Sequence, residues 1–302
     1  MSNLSDADDP ETLLDHQAVA WDTVRRSRYW MHQRFQYRYP GKIRELRQRL
    51  MVIPHACYGD QRVCAFTLNV SIPNAATSTH EDAFGNRVFL IAAPEADAEV
   101  TFELRLVVER DLAAPARPHM SAAEVAPYLA PTPLTSPDAT LRGVARQLAT
   151  EYADQEQLCE AISAWVFHAM RYGWGATTVT TPAAEALKIG QGLCQDYAHI
   201  MLALCHAAGV SARYVSGHML GEGGSHAWVE ALVKTAEGDY KVVALDPTNQ
   251  SRITPAYITV ATGRDYRDVS PTSGSYLAPY PGELTTNKRA GLTHLEYRGY
   301  AR

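Results

Sequence analysis

The chain has 302 residues, of which 46% are hydrophobic and 20% charged. That balance excludes a disordered or collagen-like chain and leaves room for a large core in about two domains. The net charge of −5 argues against a globally basic nucleic-acid binder, and no uncharged apolar run approaches the ~18 residues of a membrane span.

Residues 1–27 read as an N-terminal extension. They lack the basic and apolar regions of a secretory signal. Residues 1–20 hold five acids and no Lys or Arg, whereas residues 21–50 hold nine Lys and Arg. A basic arm for an anionic partner is one reading of this contrast. The interleaving of Arg with Tyr, Trp and Phe at strand spacing favours another: an acidic tail and a solvated strand face that offset each other. The cysteines, 5 in number, stand at 57, 64, 159, 194 and 205. They form neither a disulfide framework nor a CxxC metal pair, so we expect a soluble, cytoplasmic protein with reduced thiols.

Residues 28–110 predict a small β-sandwich. Tyr29, Met31, Gln33, Phe35, Tyr37 and Tyr39 fall at period two against Arg28, Trp30, His32, Arg34, Gln36 and Arg38. Further strands are expected at 43–52, 62–71, 87–92 and 99–109. In the last, Val100, Phe102, Leu104, Leu106 and Val108 share a face. Residues 82–86 suggest a turn.

Residues 111–137 contain prolines at 115, 118, 127, 131, 133 and 137 and read as a linker, with one helical turn near 121–126. From residue 138 the period becomes helical, and 138–302 is expected to be the catalytic domain. Leu141, Val144, Ala145 and Leu148 form one apolar stripe. Leu158, Ile162, Trp165, Val166 and Met170 form a second. Thr181-Pro182 resembles an N-cap followed by proline at the first helical position. A third helix is expected from about Cys194 to Ala208. Strands at 211–219, 226–233 and 240–246 follow, then an extended tail. The fold class is α+β, with helices packed on an antiparallel sheet behind a β-rich domain.

Cys194 follows Gly190 and Gly192 at a helix start. Unpaired N–H groups and the helix dipole there favour a thiolate and can hold an oxyanion. The alternative is a small buried apolar residue, which is the reading for Cys205 and Cys159. Cys57 and Cys64 have nothing nearby to activate them. A thiolate also needs a base and a group that orients the base. His226 starts one strand and Asp246 ends the next. A turn centred near residue 236 places them directly opposite on one face, whereas a one-residue slip separates them. Order and register together point to a Cys194–His226–Asp246 triad. His199, His206 and His218 read as structural, although His218 could line a cleft.

The segments 192–199 (Gly-Leu-Cys-Gln-Asp-Tyr-Ala-His), 212–217 (Ala-Arg-Tyr-Val-Ser-Gly), 225–230 (Ser-His-Ala-Trp-Val-Glu) and 246–249 (Asp-Pro-Thr-Asn) resemble the bacterial transglutaminase-like family. So do 181–185 and 263–269, and residues 34–110 resemble its N-terminal β domain. The resemblance implies a papain-like core in which Cys194 is nucleophile, His226 general base and acid, and Asp246 orienter. It implies thiol acyl chemistry on an amide through an acyl-enzyme, and a family viewed mostly as cysteine proteases or amidases. It implies no cofactor and no metal. Two departures stand near the site: Tyr240-Lys241-Val242-Val243 replaces an aromatic and a Gly, and His218 stands where an aromatic is expected. Residues 1–27 lie outside the resemblance. Gln191, Trp174 and Trp228 are candidates for oxyanion or substrate contacts, with packing the alternative for each.

These observations favour a peptide or protein amide hydrolase, with no nucleic-acid or membrane partner. An amine-directed acyltransferase uses the same acyl-enzyme, and a closed apolar cleft around Trp174 and Trp228 would favour it. A non-catalytic scaffold is the third reading, disfavoured by the complete triad. The oligomeric state has no signal in the sequence.

Overall fold

A computed structural model describes residue 4 and residues 9–115, 117, 119–221 and 223–298. Asp6 and Asp8 of the acidic stretch and Pro118 of the expected linker lie outside the described residues. The chain begins with strands β1 (Val24–Arg38), β2 (Ile43–Leu50), β3 (Cys57–Tyr58), β4 (Gln61–Val70), β5 (Ala76–Glu81), β6 (Arg87–Ala96) and β7 (Glu99–Asp111). Helices α1 (Ala122–Val125), α2 (Ala139–Glu151) and α3 (Gln155–Ala169) follow, then β8 (Arg171–Tyr172), α4 (Ala183–Ile189), β9 (Gln191–Gly192) and α5 (Cys194–Ala207). Strands β10 (Ser211–Met219), β11 (His226–Lys234), β12 (Tyr240–Asp246), β13 (Ser251–Arg252) and β14 (Tyr257–Gly263) come next. The chain closes with α6 (Tyr266–Val269), β15 (Thr272–Leu277) and β16 (Glu283–Tyr297).

Two compact units result. The first comprises Met1–Ala116, His218–Ser225 and Ser270–Arg302; the second comprises Arg117–Gly217 and His226–Val269.

The first unit is a β-sandwich, with sheets ordered β16-β1-β7-β4-β3 and β15-β2-β6-β5. Period-two patterning builds it. Tyr29, Met31, Gln33 and Phe35 of β1 are buried, as are Val100, Phe102, Leu104, Leu106 and Val108 of β7. Phe66 of β4 meets Phe89 of β6 edge-on at 6.2 Å, and the Tyr37 hydroxyl is 2.7 Å from Thr272 Oγ1 of β15, so side chains of the two sheets interdigitate. The expected turn at 82–86 forms where Asp82 Oδ1 accepts the amides of Phe84 and Asn86, both at 2.9 Å.

Two domain boundaries need correction. Residues 270–302 belong to the sandwich and not to the catalytic domain. β16 pairs antiparallel with β1 from Val24↔Tyr297 to Arg38↔Glu283, and β15 pairs with β2. The tail thus supplies each sheet with an edge strand that satisfies backbone groups β1 and β2 would otherwise leave open. Residues 117–137 are also not a free linker. Arg117 Nε donates to buried Glu230 at 2.8 Å, Met120 bridges Tyr240, and Val125, Tyr128 and Leu134 are buried. The helical turn near 121–126 is present as α1, capped by Ser121 with Glu124.

In the second unit the sheet order is β13-β12-β11-β10-β14. Asp138 caps α2 through Leu141 N and Asp154 caps α3 through Gln157 N, both at 2.9 Å, as side-chain acceptors at Ncap do. Leu141, Ala145 and Leu148 of α2 are buried, and so are Leu158, Ile162 and Val166 of α3. α4 starts one residue later than expected. Its N-cap is Pro182, because the Thr181 hydroxyl accepts from Thr178 N at 2.9 Å and is used in the preceding turn. α5 is buried on all sides from Asp196 to Cys205, as suits a helix enclosed by other elements; α2, α3, α4 and β11 pack around it. No helix among the described residues is long and apolar enough to cross a membrane.

Candidate active site

Cys194 opens α5 and is half-buried, whereas Cys205 and Cys159 are fully buried in its packing. The backbone enters α5 from extended Leu193 (φ −107°, ψ 179°). Gly190 ends α4 with φ of 71°, the left-handed turn that favours glycine. Gly192 serves a different need from leaving the sulfur uncrowded: a Cβ there would meet Asp196 Oδ2 at 2.5 Å. β8 and β9 pair in parallel through Arg171↔Gln191 and Tyr172↔Gly192, which fixes the segment leading to the cysteine.

His226 begins β11 and Asp246 ends β12. The ladder between these strands pairs Val229 with Leu245 and Lys234 with Tyr240. The turn therefore centres on residue 237 rather than near 236, closed by Thr235 N to Asp239 O at 2.8 Å. The shift moves pairing by two residues, so His226 and Asp246 are diagonal and not directly opposed. Because a two-residue shift keeps both side chains on the same face, and diagonal neighbours reach with long side chains, the contact survives. His226 Nε2 lies 2.7 Å from Asp246 Oδ2. Cys194 lies close enough to His226 to help raise the pKa of its ring.

Asp246 is fully buried and is held by four further donors. Its Oδ1 accepts from Thr248 N at 2.8 Å and Asn249 N at 3.3 Å. Its Oδ2 accepts from Asn249 Nδ2 at 2.8 Å and the Tyr257 hydroxyl at 2.9 Å. Burial works to raise the carboxyl pKa, but the hydrogen bond and charge of His226, with Asn249 and Tyr257, hold it below the usual range. Burial likewise works to lower the His226 pKa; the hydrogen bond to Asp246 and the nearby Cys194 outweigh burial and raise it to about 10. His226 is thus kept as an imidazolium beside the Asp246 carboxylate, the state from which a proton can be passed to a leaving group.

The three further candidates separate. Trp228 is fully buried, which rules out contact with substrate. Its ring lies 6.3 Å from the His226 ring and 5.5 Å from Tyr257 in an edge arrangement. Trp174 is 79% exposed. Gln191 Nε2 donates to Trp174 O at 3.5 Å and its Oε1 accepts from Arg171 at 3.0 Å, so it braces the segment before the cysteine. His199 is buried; burial lowers its pKa to about 4, and its Nε2 accepts from Tyr266 N at 3.2 Å. His206 meets Tyr128 O at 3.2 Å, and His218 is a buried residue of the sandwich unit. No group of three or more His, Cys, Asp or Glu that could hold a metal occurs among the described residues.

Sequence reasoning did not single out Asn249, Tyr257, Thr177 or Asp196. Asn249 follows Asp246 by three residues, a spacing at which side chains commonly bond locally. Asp196 stands at the third position of α5, where acids cap helices. Tyr257 and Thr177 come from distant segments and carry no local signal.

A cysteine at the start of a buried helix and a histidine paired with a buried aspartate stand on an α+β core. Residues 142–247 match the transglutaminase-like superfamily, and residues 29–109 match the bacterial transglutaminase-like N-terminal region. The chain therefore carries a transglutaminase-like core together with the bacterial transglutaminase-like N-terminal region. An uncharacterized protein of Mycobacterium tuberculosis (strain ATCC 25618 / H37Rv) is 27% identical over 275 residues, covering 82% of this chain and 87% of that protein. One from Mycobacterium leprae (strain TN) is 34% identical over 158 residues, covering 49% of this chain and 54% of the other. A crystal structure described as a "Putative Cysteine Protease" from Cytophaga hutchinsonii shares the fold, with a TM-score of 0.74 at 18% identity, over 92% of this chain and 94% of its own.

Proposed function

We propose that the protein is a thiol-dependent hydrolase of peptide or protein amides. The observation that carries this reading is the 2.7 Å contact of His226 Nε2 with Asp246 Oδ2, with Cys194 at the start of α5 close enough to raise the His226 pKa. In the proposed reaction the Cys194 sulfur attacks the amide carbonyl and the first-turn N–H groups of α5 hold the oxyanion. His226 gives its proton to the departing amine. Water, deprotonated by His226, then releases the acid from the acyl-enzyme. Asp246 keeps the ring oriented and its positive charge favourable. Water is favoured over an amine as acceptor because the two tryptophans that could wall off a dry cleft do not do so: Trp228 is in the core and Trp174 is in solvent.

The test is mass spectrometry of a peptide library incubated with the protein and a labelled amine, with Cys194→Ala as control. Cleaved or deamidated peptides that depend on Cys194 are expected. Peptides that gain the amine's mass would instead identify an acyltransferase, and no Cys194-dependent product would leave a scaffold.

A further inference from the structure

Asp196 combines three features that an ordinary helix cap does not need. It is fully buried. Its Oδ2 accepts from Leu193 N at 2.8 Å and from the Thr177 hydroxyl at 2.7 Å. Its Oδ1 has no hydrogen-bond partner among the described residues. Burying an ionisable group with one oxygen unsatisfied costs stability, and burial pushes its pKa up. A capping carboxylate on an exposed first turn would avoid that cost. The surroundings are shaped to admit the group: Gly192 packs so closely that no Cβ fits beside it.

What the carboxyl joins is informative. Leu193 N belongs to the residue just before Cys194, and the bond sets the orientation of the peptide entering α5. Thr177 belongs to the segment that follows β8. That segment is also tied to the approach to Cys194 through Gly173 N to Gly192 O and Arg171 N to Gly190 O, both at 3.0 Å. One buried oxygen therefore joins the segment at 173–178, the entry peptide and the cysteine helix.

We propose that Asp196 is a positioning residue for Cys194: by tying Leu193 N and Thr177 to one buried oxygen, it aims the first-turn amide of Cys194 at the carbonyl under attack. This rests on the thiol-hydrolase reading above. A tie of this kind acts on the acyl step, where an oxyanion must be met, and not on sulfur reactivity as such. Small misplacements of such a donor cost large factors in rate.

The experiment compares two reagents on the intact protein. p-Nitrophenyl acetate forms an acyl-enzyme through an oxyanion, whereas iodoacetamide alkylates sulfur without one. The variants are Asp196→Ala, Asp196→Asn and Thr177→Val, each with its Tm. Asp196→Ala is expected to slow acylation by at least about tenfold while alkylation of Cys194 stays within about threefold of wild type. Asp196→Asn keeps an oxygen for both bonds and is expected to restore most of the acylation rate, with Thr177→Val intermediate. Wild-type acylation in Asp196→Ala overturns the proposal. So does Asp196→Asn falling as far as Asp196→Ala, or equal loss of acylation and alkylation in Thr177→Val. A wild-type protein whose Cys194 reacts with neither reagent overturns the proposed function itself.

Discussion

Replacing Asp246 by Asn changes one atom and separates charge from shape. Five donors converge on the two carboxylate oxygens: His226, Asn249 through side chain and backbone, Tyr257 and Thr248. An amide offers one oxygen and one NH2 group. If its oxygen faces His226, its NH2 opposes the amides of Thr248 and Asn249. If it is turned round, the NH2 opposes His226 Nε2–H and the ring must change tautomer. In either orientation the charge that sustains the imidazolium is gone. A carboxylate at hydrogen-bonding distance moves a partner's pKa by roughly 1–3 units, so we expect the His226 pKa to fall by about two units from its value of about 10, equivalent to ~3 kcal/mol. The assay is the pH profile of kcat/KM on a Cys194-dependent peptide. Wild type should lose activity on the alkaline side as His226 deprotonates near pH 10, and the variant near about pH 8, with a lower plateau. An alkaline limb at the same pH in both proteins would refute the assignment of Asp246 as the source of the shift. The stability consequence has a definite sign. His226 is raised above its ordinary value of 6.5. The contribution of its charged form is therefore complete below that pH and is lost as pH rises through about 10, as linkage requires.

Cys194→Ala and His226→Ala should each reduce turnover by about a thousandfold or more, with circular dichroism unchanged; near wild-type turnover in Cys194→Ala would remove the nucleophile from the scheme. Tyr257→Phe deletes a hydroxyl donor to a buried carboxylate and should cost about 1.5–3 kcal/mol in denaturant unfolding; an unchanged midpoint would show that bond to be idle. Arg110 and Asp60 form a buried two-bond pair in the sandwich, at 3.0 and 2.8 Å. Asp60→Ala should cost about 3–5 kcal/mol, whereas replacing both by apolar residues should cost much less. Equal losses in the single and double variants would contradict that account.

The legible parts of the fold were those with strong local periodicity. β1 and β7 follow from alternation, and α2 and α3 from their stripes. β5 was not legible, because Ala-Thr-Ser-Thr-His-Glu is exposed at every position and lies on a sheet edge, where no hydrophobic face is required. β16 read only as extended chain, since nothing local reveals that its partner is β1, at the far end of the sequence. For the site, the side chains and their common face were legible, but the register was off by two. The turn was placed near residue 236, yet the loop closes at Thr235 and Asp239 and the ladder centres on residue 237. Asp196 escaped notice because an acid in a first turn is ordinary; only its burial and its bond to Thr177 set it apart.

The two strands contributed by the tail bear on how the molecule is made. The second unit is drawn from residues 117–217 and 226–269, and is complete in sequence before β15 and β16 are made. The sandwich cannot close until β16 (Glu283–Tyr297) reaches β1 (Val24–Arg38), far away in sequence. Domains generally fold as units during synthesis, and pairing between segments so far apart in sequence is the slow kind. The nascent chain thus carries a thiol-bearing core able to fold early, flanked by a β unit that waits with open edges. Truncation near the C-terminus should therefore damage the sandwich first, and such a chain is expected to aggregate through β1 and β2.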